Sequence, residues 1–163
     1  MIKKICDIIK TELNLSSSNI WLYNQKVNIP NDNGTYVIVG ILSRKTLGNN
    51  TKYESTQTGL NEVQCLNLQE VIEVDVIGKT TQVLDYVNYI QMALKSTYAQ
   101  QQQEKYGFSI GYNSINVINV EEVEGVSELY RFNITFNILY AIEKSKAVEY
   151  YNKFQTIALK TEA

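Results

Sequence analysis

Histidine is absent from the 163-residue sequence, which removes the side chain most used for proton transfer near neutral pH and the commonest nitrogen ligand for metals. Any chemistry then falls to carboxylates, lysines, tyrosines and two cysteines. Glu73 and Asp75 alternate and so share one face of a strand. They could be read as a carboxylate pair for acid–base work, although a wet sheet face or a charged subunit contact is the plainer account. Glu121, Glu122 and Glu124 could hold a divalent cation, but their i, i+1, i+3 spacing lacks the alternating oxygen ligands and turn glycine of a calcium loop. They read as a solvated acidic turn. Cys6 and Cys65 stand in separate apolar segments without the close spacing of a metal site, so each is expected to be a small buried residue.

Phosphate-cradling fingerprints are also missing. Gly78-Lys79-Thr80 has no glycine five residues before its own glycine, as a phosphate-binding loop requires. Arg44, Lys45 and Lys52 around Tyr53 form the best local basic and aromatic cluster, but three cations on a polar loop describe an ordinary soluble loop. With 15 basic against 17 acidic side chains the net charge is −2, too balanced to recruit nucleic acid by field alone. No catalytic, cofactor or metal site is expected, and the chain reads as non-enzymatic.

The elements that must carry these residues follow from periodicity. Ile2, Ile5, Cys6, Ile9 and Leu13 recur at helical spacing, so residues 2–14 are expected to form an amphipathic helix. Ile20 to Tyr23 reads as a short strand entering a turn at Pro30 to Gly34. Residues 35–45 carry aliphatics on both faces, as in a central strand covered on both sides. Residues 46–61 are polar and read as a long connection. From Cys65 to Ile77, Leu66, Leu68, Ile72, Val74 and Val76 alternate with polar residues; only Glu70 interrupts the apolar face. Gly78 closes this strand, and Thr80 or Thr81 caps a helix over 80–97, extended by the polar tail Gln100 to Gln103. A strand over 112–120 and an acidic turn lead to residues 130–143. There Tyr130, Phe132, Ile134, Phe136, Ile138, Tyr140 and Ile142 hold one face without exception.

Hydrophobic residues make up 44% of the chain, with 12 tyrosines and a single proline, a composition suited to sheet and contact surface rather than disorder. The apolar runs, such as Tyr36 to Leu42, are far shorter than the roughly 20 residues that cross a bilayer, and the start lacks the apolar stretch of an export signal. The expectation is a soluble α+β protein: a single domain over 1–163, an antiparallel-rich sheet with two main helices packed on one face. Residues 148–163, with Tyr150, Tyr151 and Phe154, are expected to form a C-terminal arm.

Several stretches together resemble the phage neck terminator family, relatives in fold of the lambda-type tail terminators. They are Asn31 to Leu42, Val76 to Leu84, Ser96 to Lys105, Tyr130 to Ile134 and Lys146 to Tyr151, spanning about residues 20 to 155. The resemblance implies a structural virion protein, assembled in the host cytoplasm, that forms a homo-oligomeric ring, commonly a hexamer, at the head–tail neck. Such a ring ends the tail tube, meets head connector and neck proteins on one side and tail tube or sheath proteins on the other, and lets DNA pass without specific binding. Ring closure needs two different patches on each subunit. The candidates are the 44–62 loop, the wet faces of 65–77 and 130–143, and the 148–159 arm: Arg44, Lys45, Lys52, Tyr53, Glu73, Asp75, Arg131, Tyr150, Tyr151 and Phe154. A head-completion, connector or tail tube protein remains an alternative. From other classes, so do a carboxylate-dependent metal hydrolase and a cytosolic nucleic-acid-binding adaptor.

Overall fold

A computed structural model describes residues 1–23, 29–56, 59–120 and 129–148. Helix α1, Ile2–Glu12, places Ile5, Ile8 and Ile9 on one fully buried stripe. It ends earlier than its periodicity suggests because Asn14 turns into the left-handed region (φ 50°), where Asn is tolerated, while the Leu15 amide donates back to the Lys10 carbonyl at 2.9 Å. Strand β1, Ile20–Leu22, then pairs parallel with β2, Trp21 lying opposite Ile38.

Strands β2, Thr35–Thr56, and β3, Gly59–Gly78, form one long antiparallel hairpin. The polar stretch expected as a connection is therefore mostly strand. Its residues satisfy the backbone by laddering against β3, and their polarity reflects two solvated faces rather than a loop. β2 is also not central. In the order β1-β2-β3-β5-β4 the middle position belongs to β3, paired with β2 on one side and β5, Tyr130–Val148, on the other.

Between β3 and the next described strand the chain makes two helices. α2, Gln82–Leu94, is shorter than the expected 80–97. The glutamine run is no tail of it but part of a separate helix α3, Thr97–Tyr106, started by Ser96, whose Oγ accepts from the Ala99 amide at 3.0 Å. Gly107 ends α3 with φ 63°, a conformation glycine adopts without steric cost. β4, Phe108–Asn119, starts four residues before the expected Tyr112. Its alternation is broken where Tyr112 to Ile115 bulge out opposite Phe136 alone. Ser114 holds the bulge, donating to the Gly111 carbonyl (2.6 Å) and accepting from the Asn137 amide (2.8 Å).

One core forms on a single sheet face. Val37, Val39, Ile72, Val74, Val76, Ile134, Phe136 and Ile138 meet the stripes of α1 and α2 and Ala99 of α3. The fold is thus α+β, as expected, with a mostly antiparallel sheet and, among the described residues, α1 and α2 as the main helices on one face joined by the shorter α3. Replacing Ile134, fully buried between β3 and β4, by aspartate is expected to abolish cooperative thermal unfolding. A lone buried carboxylate costs several kcal/mol out of a total of ~5–15 kcal/mol. A soluble Ile134→Asp variant with a sharp melting transition would contradict this packing.

Candidate functional site

Beyond Glu70, β3 leaves the helix layer but keeps a partner on each side. Its residues 60–69 pair with Ser55 to Lys45 of β2 and Val148 to Leu139 of β5. The result is a three-stranded arm about 30 Å long at ~3.4 Å per residue. Most of its β2 and β5 residues are exposed.

The arm is rooted on an ion pair that depends on a bulge. Val37, Val39 and Ile41 face the core, so strict alternation would send Arg44 to the opposite face. A register shift between Ile41 and Ser43 makes Leu42 the extra residue and brings Arg44 opposite Glu70. Glu70 is fully buried. Its Oε1 accepts from Arg44 Nε at 2.6 Å and Tyr140 Oη at 2.8 Å, with Arg44 Nη2 also in contact. Its Oε2 is buried without a hydrogen-bond partner among the described residues. Hydrogen bonding to Glu70 and its charge hold the Arg44 guanidinium even more firmly protonated. Burial, followed by the Glu70 hydrogen bond and charge, pushes the Tyr140 phenol up. A second shift, between Thr46 and Gly48, leaves Leu47 as another extra residue and restores the original facing. Leu42 and Leu47 are exposed as a consequence.

Ladder register sorts the arm into two faces. Tyr53, Leu60, Leu66, Ile142 and Val148 share the face that continues the core side, with a cleft of about 310 Å³ bordered by Leu66 and Ile142. Tyr53 is 61% and Ile142 48% exposed. Lys45, Lys52 and Cys65 lie on the other face, where Lys52 pairs with Glu54 at 2.9 Å. Cys6 and Cys65 are half-buried rather than buried, and burial raises the Cys6 thiol.

Nearer the core, Asp75 departs from the wet face expected of it. It is buried, accepting from Asn133 Nδ2 (2.9 Å) and Arg131 Nη2 (3.2 Å) across the ladder. Asp75 and Arg131 therefore pair within the chain, with Arg131 still partly exposed. Glu73, half-buried, lies opposite Gly40, where a Cβ would approach its Oε1 to 2.9 Å. Burial, then the Asp75 charge, pushes the Glu73 carboxyl above its ordinary range.

The structure thus gathers Arg44, Lys45, Lys52 and Tyr53 on the arm and Glu73, Asp75 and Arg131 at the opposite end of the ladder. Tyr150, Tyr151 and Phe154 lie outside the described residues, as does the acidic turn. Glu70 and Tyr140 were not among the sequence candidates. The signal was there, since Glu70 alone broke an apolar face, but its partner was hidden by the bulge. Among the described residues no group of three or more cysteines and carboxylates is placed to hold a metal, and no helix is long and apolar enough to cross a membrane.

Two variants check this account. Arg44→Ala leaves a buried carboxylate with only a phenol, and is expected to lower unfolding free energy by about 1–3 kcal/mol, less than for a fully buried pair because Arg44 is half exposed to water. Adding Glu70→Leu should recover most of that loss in urea titrations. For Glu73 the neutral form is favoured by folding, so its contribution is present below the ordinary carboxylate pKa and is lost as pH rises through the raised value. Glu73→Gln is accordingly expected to raise the melting temperature at pH 7 and to leave it unchanged at pH 4, measured by differential scanning fluorimetry. An equal effect at both pH values would contradict the raised pKa.

A family model described as "Phage neck terminator protein" matches residues 2–162. No curated protein matches the chain.

Proposed function

The chain belongs to the phage neck terminator family, and from that membership we propose that it forms a hexameric ring at the head–tail junction. The general role, a phage tail terminator in head–tail joining, comes with the family. The ring, its place between connector and tail tube, and the arm as its joint are the finer reading.

The observation that carries it is the pair of open edges on the arm. β1 covers β2 only opposite Val37 to Val39, and β4 covers β5 only as far as Tyr140. Beyond these points, β2 to Thr56 and β5 to Val148 have no further described strand beside them. An unpaired strand edge is a template for another chain. Because the two edges belong to different strands, joining one to the other between neighbours is head-to-tail, and such contacts close into rings. The apolar face with Tyr53, Leu66 and Ile142 then gains cover that the helices do not provide. Residues 149–163, which follow β5 in the sequence and carry Tyr150, Tyr151 and Phe154, form a second part of the joint in this reading. DNA would cross such a ring without being held, since the chain has no cationic excess.

Light scattering over a wide concentration range is expected to show a mass near six chains for the wild type. Ile142→Lys changes an exposed side chain, so its stability should stay within about 0.5 kcal/mol while the mass falls toward the monomer. Wild-type protein that stays monomeric at every concentration would overturn the ring, and full-sized rings of Ile142→Lys would remove the arm from the joint.

A further inference from the structure

Helices α1 and α3 enclose a groove of about 580 Å³ that the sheet-edge joint leaves unused. Lys4, Lys10 and Lys105 line it together with Tyr98 and Tyr106, against one carboxylate, Asp7. The cations converge: Lys4 Nζ stands 3.9 Å and Lys105 Nζ 5.3 Å from the centre of the Tyr106 ring. Lys4 foremost, with Lys105, pulls the Tyr106 phenol below its ordinary range, a mark of the local positive field.

The chain carries the complement. Glu121, Glu122, Glu124 and Glu128 fall between β4 and β5 without an intervening cation. We infer that this acidic segment of one subunit seats in the α1–α3 groove of its neighbour, as a second, charge-matched contact of the ring; the inference rests on the ring reading above. The partner is a second copy because the end of the groove where Lys4 and Lys105 meet Tyr106 lies beyond the reach of the chain's own segment. Tyr106 lies two residues before Phe108, which pairs with Tyr140, whereas the segment leaves the sheet where Asn119 pairs with Phe132. From Phe132 to Tyr140 is ~27 Å along β5. The nine residues beyond Val120, which is still held by the Arg131 carbonyl, advance ~17 Å at most before they must return. Joining opposite ends of two subunits is again head-to-tail. Charge complementarity of this kind fixes register and speeds encounter more than it adds affinity. The absence of arginine, whose planar fork suits phosphate, from the lining favours an acidic peptide over nucleic-acid phosphate.

Charge reversal in full-length protein tests the contact. Lys10→Glu/Lys105→Glu and, separately, Glu121→Lys/Glu122→Lys/Glu124→Lys are each expected to raise the concentration needed for assembly about tenfold or more in light scattering at low salt. Circular dichroism should show the wild-type spectrum for both. An equimolar mixture should assemble like the wild type, because reversed groove meets reversed segment and native groove meets native segment in alternation. Assembly of either variant alone at the wild-type concentration overturns the inference while leaving the ring intact. A mixture that stays apart also overturns it, in favour of a contact within one chain. So does unimpaired assembly with loss of binding to a labelled DNA duplex in the lysine variant, which would make the groove a phosphate site. A wild type that never assembles removes the ring and this contact together.

Discussion

Along nearly all of its length β3 is hydrogen-bonded on both sides, to β2 and to β5, and every other part of the molecule is placed by that double ladder. Its first function is local. A strand paired on both sides has no orphaned amides, so it can run far beyond the helices without burying its faces. Its second is to divide the molecule. From Glu70 to Gly78 one face of β3 is apolar and lies under the helices; from Gly59 to Gln69 it supports an arm largely in solvent. A shorter β3 would leave a closed α+β domain with little beyond its core.

At the boundary between these halves sits the ion pair of the arm's root, buried Glu70 with half-exposed Arg44. A buried carboxylate is weak grounds for stability, since apolar residues often serve as well. Its effect here is geometric. Arg44 reaches Glu70 only when the bulge at Leu42 is present, so a register without it leaves the buried carboxylate with the Tyr140 phenol alone. The same logic explains the cations near the open edges. Lys45, Lys52, Lys144 and Lys146 are exposed, and such charges discourage indiscriminate pairing of bare strands.

Much of this was legible in the sequence because the relevant signals were periodic. The unbroken alternation of residues 130–142 and the stripe of α1 need only one period each to be read, and the α+β class follows. What escaped has a common physical origin. Two bulges in β2 and one in β4 shift the phase of alternation within a strand, so residues 46–56 looked like a loop and 108–111 went unread. Ser96 was overlooked as a cap because the helical pattern runs through it, which merged α2 with α3. At the site, Lys45, Lys52 and Tyr53, read from the sequence as contact candidates, are exposed. Burial of Asp75 and the pairing of Arg44 with Glu70 depend on cross-strand neighbours far away in sequence, which no local window contains.

The ladder also orders events in time. The β2–β3 hairpin ends where Thr56 lies opposite Gly59, close in sequence, whereas the β3–β5 ladder runs from Gly78 opposite Tyr130 to Leu60 opposite Val148, its members ever farther apart in the chain. Loop-closure entropy rises with the chain enclosed, so zipping runs outward from the core and the tip of the third strand is laid down at the end. Nascent chains therefore carry a finished hydrophobic interior before they carry a complete arm.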